Sequence, residues 1–199
     1  MTLPLVVAIT GATGVIYGVE LLRVLKELRQ ETHLILSEAA GMNLAIETDV
    51  SLDEVRSLAD VVYNNRDVGA AVASGSFRTR GMIVAPCTIK TLSAIANSFT
   101  ANLVVRAADV QLKEGRKLVL MVRETPLHKG HLELMARAAD CGAVILPPMP
   151  AFYHRPSTIM DIVHQSIGKA LDQVGVEHDL FRRWSGHGSG GEPARLRAL

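Results

Sequence analysis

With 199 residues and 48% of them hydrophobic, the chain is long enough to bury one sizeable core. A formal net charge of +1 and an aromatic share of 4% argue against a nucleic-acid or membrane-surface partner. Two distant cysteines, Cys87 and Cys141, make neither a disulfide framework nor a metal cluster, so a cytoplasmic protein is expected.

The chain opens Met1-Thr2-Leu3-Pro4 straight into an apolar run, without the basic start and apolar stretch of a signal peptide. No stretch approaches the roughly 20 apolar residues of a membrane helix. Residues 3–9 read as a first strand: Val, Ile and Leu without polar alternation, as in a parallel sheet covered on both faces. Gly11-Ala12-Thr13-Gly14 follows directly and opens a helix on which Val15, Val19, Leu22 and Leu25 recur at helical spacing. Glycines allow a sharp turn and close approach of a ligand, and a helix start offers N–H groups to a phosphate. Thr13 adds a hydroxyl. The spacing is G-x-x-G, so the dinucleotide fingerprint is absent. The turn is either a phosphate cradle or a plain βα connection. A second strand, residues 33–37, ends at Ser37, which suits a ribityl or phosphate contact or the N-cap of a helix.

Ser74-Gly75-Ser76-Phe77 precedes the third strand, residues 81–85, as an anion nest or an ordinary loop. Ala85-Pro86-Cys87-Thr88-Ile89-Lys90-Thr91 follows and opens a helix carrying Leu92, Ile95 and Ala96. Thr88 and Thr91 offer caps and hydroxyls, and Lys90 a cation. Cys87 reads as a small buried residue rather than a nucleophile. Arg106 and Lys113, about two turns apart, share one helix face as anion ligands or as a solvated stripe. The fourth strand, residues 117–122, runs into Arg123-Glu124-Thr125-Pro126. A cation beside a carboxylate at a strand's carboxyl end lies where open α/β sheets bind ligands. Glu124 suits a general acid or base, or a local ion pair.

Leu132, Met135 and Ala139 mark another helix, and residues 143–146 a fifth strand. Four prolines between positions 147 and 156 make an irregular connection that stiffens the loop around Tyr153. A last helix near 159–171 carries Lys169. The seven histidines show no metal-ligand spacing, and no metal is expected. The order βαβαβ predicts a doubly wound parallel sheet in three layers, one domain over 1–184, followed by a Gly-rich polar tail over 185–199. Glycines, hydroxyls and cations gathered at strand ends point to a nucleotide- or flavin-binding protein.

Taken together, Gly11-Ala12-Thr13-Gly14, Ser74-Gly75-Ser76-Phe77, Ala85-Pro86-Cys87-Thr88, Arg106-Ala107-Ala108-Asp109-Val110, Arg123-Glu124-Thr125-Pro126 and Pro147-Pro148-Met149-Pro150-Ala151-Phe152-Tyr153 resemble the flavin prenyltransferase family (UbiX and Pad-type proteins, once described as aromatic-acid decarboxylases). The match runs in order over about residues 3 to 184. It implies a flavodoxin-like or Rossmann-like fold that binds FMN and transfers a dimethylallyl group from dimethylallyl phosphate to reduced FMN. It further implies a homo-dodecamer with its site near a subunit interface, and a separate decarboxylase that uses the prenylated FMN. Carried over by motif, Gly11, Ala12, Thr13, Ser37, Thr88, Ile89, Lys90, Thr91 and Arg106 or Arg123 would hold FMN. Ser74, Lys113, Arg123, Tyr153 and Lys169 would hold the prenyl phosphate, with Trp184 closing its pocket. Glu124 would be the acid/base, with Glu47 nearby and Ser74 and Lys113 assisting. Thr13 and Thr88 stand where serine is usual, Lys169 where arginine is common, and Gly115 replaces a frequent arginine. A flavin-dependent decarboxylase acting directly on an acid, and a non-catalytic FMN-binding subunit, stand as alternatives.

Overall fold

In the computed structural model, residues 3–186 are described. Of the tail expected over 185–199, all but Ser185 and Gly186 lies outside them. The chain runs β1 (Leu5–Ile9), α1 (Val15–Glu27), β2 (Thr32–Leu36), α2 (Glu38–Glu47), α3 (Leu52–Ser57), β3 (Val61–Asn64), a 3-10 turn (Ala71–Ala73) and β4 (Gly81–Cys87). It continues α4 (Ile89–Ala96), α5 (Leu103–Lys113), β5 (Lys117–Val122), α6 (Lys129–Asp140), β6 (Val144–Ile145) and α7 (Ile159–Gln173). The six strands form one sheet in the order β3-β2-β1-β4-β5-β6, parallel at every pairing. This is the Rossmann-like order, in which the winding reverses between β1 and β4.

The sheet separates two cores. Leu5, Val7 and Ile9 of β1 point into one, with Leu22 and Leu25 of α1 and Ile167 and Leu171 of α7. Val6 and Ala8 point into the other, with Leu92 of α4, Leu103 of α5 and Ala138 of α6. Burial on both faces is why these strands carry no polar alternation. The five predicted strands are all present with slightly moved ends. The edge strand β3 and helix α3 are additions to the expected elements, and α2 is the helix for which Ser37 is one candidate cap.

Ser37 proves to be the N-cap of α2, its Oγ accepting from the Ala40 N–H at 3.1 Å. Among the described residues no helix is long and apolar enough to cross a membrane, and no group of three His, Cys, Asp or Glu side chains could hold a metal ion.

Candidate active site

Where the winding reverses, a cleft of about 880 Å³ opens beyond the carboxyl ends of β1, β2 and β4. Of the residues singled out in the sequence, Gly11, Ser37, Thr88, Lys90 and Thr91 line it, and so does Thr10, which the sequence reading passed over. Thr10 ties the two central strands together at this point. Its hydroxyl donates to the Pro86 carbonyl at 2.7 Å and accepts from the Thr88 N–H at 3.0 Å. Gly11 is needed for packing: a Cβ there would overlap the Cβ of Ala39 on α2. Glycine therefore lets the first turn lie against the start of α2.

The N-termini of α1, α2 and α4 meet near the cleft, and Asn102, the N-cap of α5, lines it too. At α4, Thr88 Oγ1 accepts from the Thr91 N–H at 3.0 Å and donates to Thr91 Oγ1 at 2.9 Å. No acidic residue occupies that first turn. At α2, Ser37 is the cap, and Glu38 beside it is ion-paired with Arg66 across the cleft. At α1 the situation differs. The N–H groups of Gly14 and Val15 donate to Glu47 Oε2 at 2.7 and 3.1 Å. The terminus expected to receive a phosphate at Gly11–Gly14 thus holds a carboxylate, that of Glu47, which the resemblance places near the acid/base Glu124. Ala12 and Thr13 ride on this turn, Thr13 exposed. Ile89 packs against the second core, and Lys90 is exposed beside the cleft.

A second set of candidates lies at the end of β5 and over the segment from Tyr153 to Trp184. The Arg123 N–H donates to the Cys87 carbonyl at 3.0 Å. Its guanidinium acts on Tyr17, whose phenol is raised by burial and partly restored by Arg123 and a hydrogen bond with Ser166. Glu124 is exposed, and its carboxylate accepts from the Thr125 N–H at 3.1 Å; it makes no ion pair with Arg123. Tyr153 and Trp184 meet edge to face at 6.3 Å. Lys169 lies on α7 and pairs with Asp172 at 3.5 Å.

The third group stands apart. Ser74 and Ser76 share a hydrogen bond of 2.9 Å, and Lys113 pairs with Glu114 beside Gly75. That pair holds the Glu114 carboxyl below its ordinary value. Lys113 ends α5 just before β5 begins, whereas Arg123 and Glu124 follow the end of β5. Six strand residues at about 3.3 Å each separate them by roughly 20 Å, so one chain does not bring Lys113 to Glu124. Arg106 is also absent from the cleft lining. Its Nε donates to the Ala73 carbonyl at 3.1 Å and its NH1 to Asp109 Oδ2 at 3.1 Å, which ties α5 to the Ser74 segment. Cys87 is fully buried and its thiol is pushed up to about 12 by burial, so it stays protonated, as a structural cysteine does.

A family described as Flavoprotein matches residues 2–170. Flavin prenyltransferase UbiX of Thauera aromatica is 57% identical over 183 residues, covering 92% of this chain and 94% of its own. A crystal structure of AnUbiX (PadA1) in complex with FMN and dimethylallyl pyrophosphate superposes with a TM-score of 0.92 at 48% identity, over 94% of this chain and 99% of the other. A dodecameric FMN-dependent UbiX-like decarboxylase from Escherichia coli O157:H7 gives 0.89 at 50% identity, over 92% and 100%.

Proposed function

Since this chain belongs to the flavin prenyltransferase family, we propose that it transfers a dimethylallyl group from dimethylallyl phosphate to reduced FMN. The prenylated FMN then serves a separate decarboxylase. The observation that carries the reading is the convergence of two hydroxyl-capped helix N-termini, α2 and α4, on one cleft with Lys90 beside them. Free N–H groups, hydroxyls and a cation are what a phosphate monoester needs. The cleft volume of about 880 Å³ lies in the range of small-molecule and cofactor sites.

In this reading Ser37, Thr88, Thr91 and Lys90 hold the phosphate and ribityl chain. Gly11, Ala12, Thr13 and Ile89 line the path of the flavin, and Arg123 reaches it from the end of β5. The tie of Arg106 to Ala73 and Asp109 supports Arg123 over Arg106 for that role. Reduced FMN supplies the nucleophilic ring that accepts the prenyl carbon.

The side chains act on the other partner. Breaking the allylic C–O bond develops negative charge on the departing phosphate and positive charge on the hydrocarbon. Lys169, Arg123 and the Tyr153 hydroxyl stabilise the first. The rings of Tyr153 and Trp184 keep water from the second. Glu124 holds or moves the proton at its carboxylate, and no metal takes part.

Ser74 and Lys113 complete the phosphate site from a neighbouring copy in a homo-dodecamer, like that of the Escherichia coli O157:H7 relative. Their separation from Glu124 along β5 supports this, as do the exposed apolar side chains of Met42, Ile46, Phe99, Phe152 and Ile159. A cytoplasmic location belongs to the same reading and suits two cysteines that form no disulfide.

The test is mass spectrometry of the flavin after anaerobic incubation of the full chain with reduced FMN and dimethylallyl phosphate. The expected product is FMN carrying one dimethylallyl group in place of a hydrogen, with inorganic phosphate released. FMN recovered unchanged, with an aromatic acid decarboxylated by this protein alone, would replace the reading with direct decarboxylation.

A further inference from the structure

Beyond α7 the chain turns back over the helix it has just left. His178 is buried, with 1% of its side chain exposed. Its Nδ1 accepts from the Leu180 N–H at 3.2 Å, so its proton sits on Nε2. From there it donates to the Gly168 carbonyl at 2.9 Å and to Asp172 Oδ1 at 3.2 Å. Arg183 grips the same carboxylate with both arms, NH2 to Oδ1 at 2.7 Å and NH1 to Oδ2 at 3.1 Å. Lys169 approaches Oδ2 at 3.5 Å. One carboxylate thus gathers an imidazole, a guanidinium and an ammonium. The backbone is shaped to allow it. A Cβ on Gly168 would lie 2.5 Å from Phe181 Cε1 and 2.7 Å from His178 Cε1, so only glycine lets the returning segment seat this closely. The residue after Arg183 is Trp184, which meets Tyr153.

We propose that Asp172 is a positioning residue for prenyl transfer: it fixes the strap that carries Trp184 onto Tyr153 and, on the same carboxylate, steers the Lys169 ammonium toward the prenyl phosphate. The inference rests on the assignment of Lys169, Tyr153 and Trp184 to the prenyl-phosphate pocket made above. Bidentate pairing suits the strap end, because a guanidinium fork fixes direction as well as distance. The longer lysine contact suits the ligand end, because it aims the ammonium while leaving its other N–H donors for the phosphate. The substrate anion therefore meets a lysine already held in place, and the strap stays pinned.

Trp184 is the single tryptophan of the sequence, so its emission anisotropy reports the strap alone. In Asp172→Asn we expect lower Trp184 anisotropy and unchanged FMN content. KM for dimethylallyl phosphate should rise roughly ten- to a hundred-fold, the range of one charge-assisted hydrogen bond, with a smaller change in kcat. Arg183→Gln should lower the anisotropy as much but move KM less, because Lys169 keeps its partner. Gly168→Ala, which alters no charge, should lower the anisotropy as well. Parent-like anisotropy and KM in Asp172→Asn would overturn the proposal. If that variant loses its flavin and fold, unchanged anisotropy in both Arg183→Gln and Gly168→Ala would overturn it instead. Absence of prenyl transfer by the parent protein would reject the activity, while the anisotropies would still decide the strap.

Discussion

The N-termini of α1 and α4 follow neighbouring strands, are linked through Thr10 and carry the same partial positive charge. They are closed in opposite ways. The α1 terminus holds the carboxylate of Glu47, and the α4 terminus is capped by the neutral hydroxyl of Thr88. Elsewhere the carboxylate style recurs: Glu54 joins the capping box of α3, and Asp161 that of α7. A terminus that holds an internal anion has its charge already compensated. A terminus closed by a hydroxyl keeps that charge for a ligand. Two termini closed by a hydroxyl without a capping-box carboxylate, α2 and α4, line the cleft with their caps Ser37 and Thr88.

The largest expected effect separates holding the flavin from reacting with it. Glu124→Gln should keep its FMN, because Glu124 lies outside the cleft lining, yet lose on the order of 10²–10⁴-fold in turnover as a positioned acid/base does. Steady-state kinetics with flavin content measured first will tell; near-normal turnover would remove the acid/base role. Next comes the comparison itself. Thr88→Val should weaken FMN binding about ten-fold or more, the scale of one hydrogen bond to a charged group, and destabilise α4 by about 1 kcal/mol. Glu47→Gln should leave FMN affinity near that of the parent. A marked tightening in Glu47→Gln by titration calorimetry would move the phosphate to α1 and reverse the assignment.

The smallest effect probes a carboxylate-closed terminus. The Asp161 carboxyl is drawn from 3.8 to about 2 by the N–H groups of Ser157 and Thr158 and by the Ser157 hydroxyl. A depressed value means the stabilisation is fully present above the ordinary carboxylate value and fades as pH falls toward the folded one. Denaturant unfolding of parent and Asp161→Asn should therefore differ at pH 5 and converge near pH 2. A gap that persists at pH 2 would show that the box does not depend on the charge.

The central strands were legible because burial on both faces leaves a plain apolar run. β3 escaped because it is four residues long at the sheet edge, with Val62 and Asn64 exposed. Helix α2 was signalled only by its possible cap at Ser37, because Ala40 and Leu44 alone are buried while Met42 and Ile46 face outward, which leaves no apolar stripe. Strand-end residues could be singled out from topology, since ligands gather there. Their partners could not. Glu47 meets Gly14 across 33 positions of sequence, and nothing local in either segment signals the contact. Lys113 shows what spacing leaves open: two cations about two turns apart share a helix face, and neither lines the cleft of its own chain.

The sheet also acts as a partition for evolution. Neighbouring residues of β1, such as Val6 and Val7, touch different sets of helices. Substitutions that share no partners combine additively. The α1–α7 side, which bears the strap, can therefore drift and repack while the α4–α5–α6 side stays as it is. A lineage can retune the segment that seats Trp184 on Tyr153 without relearning how the α4 terminus is capped.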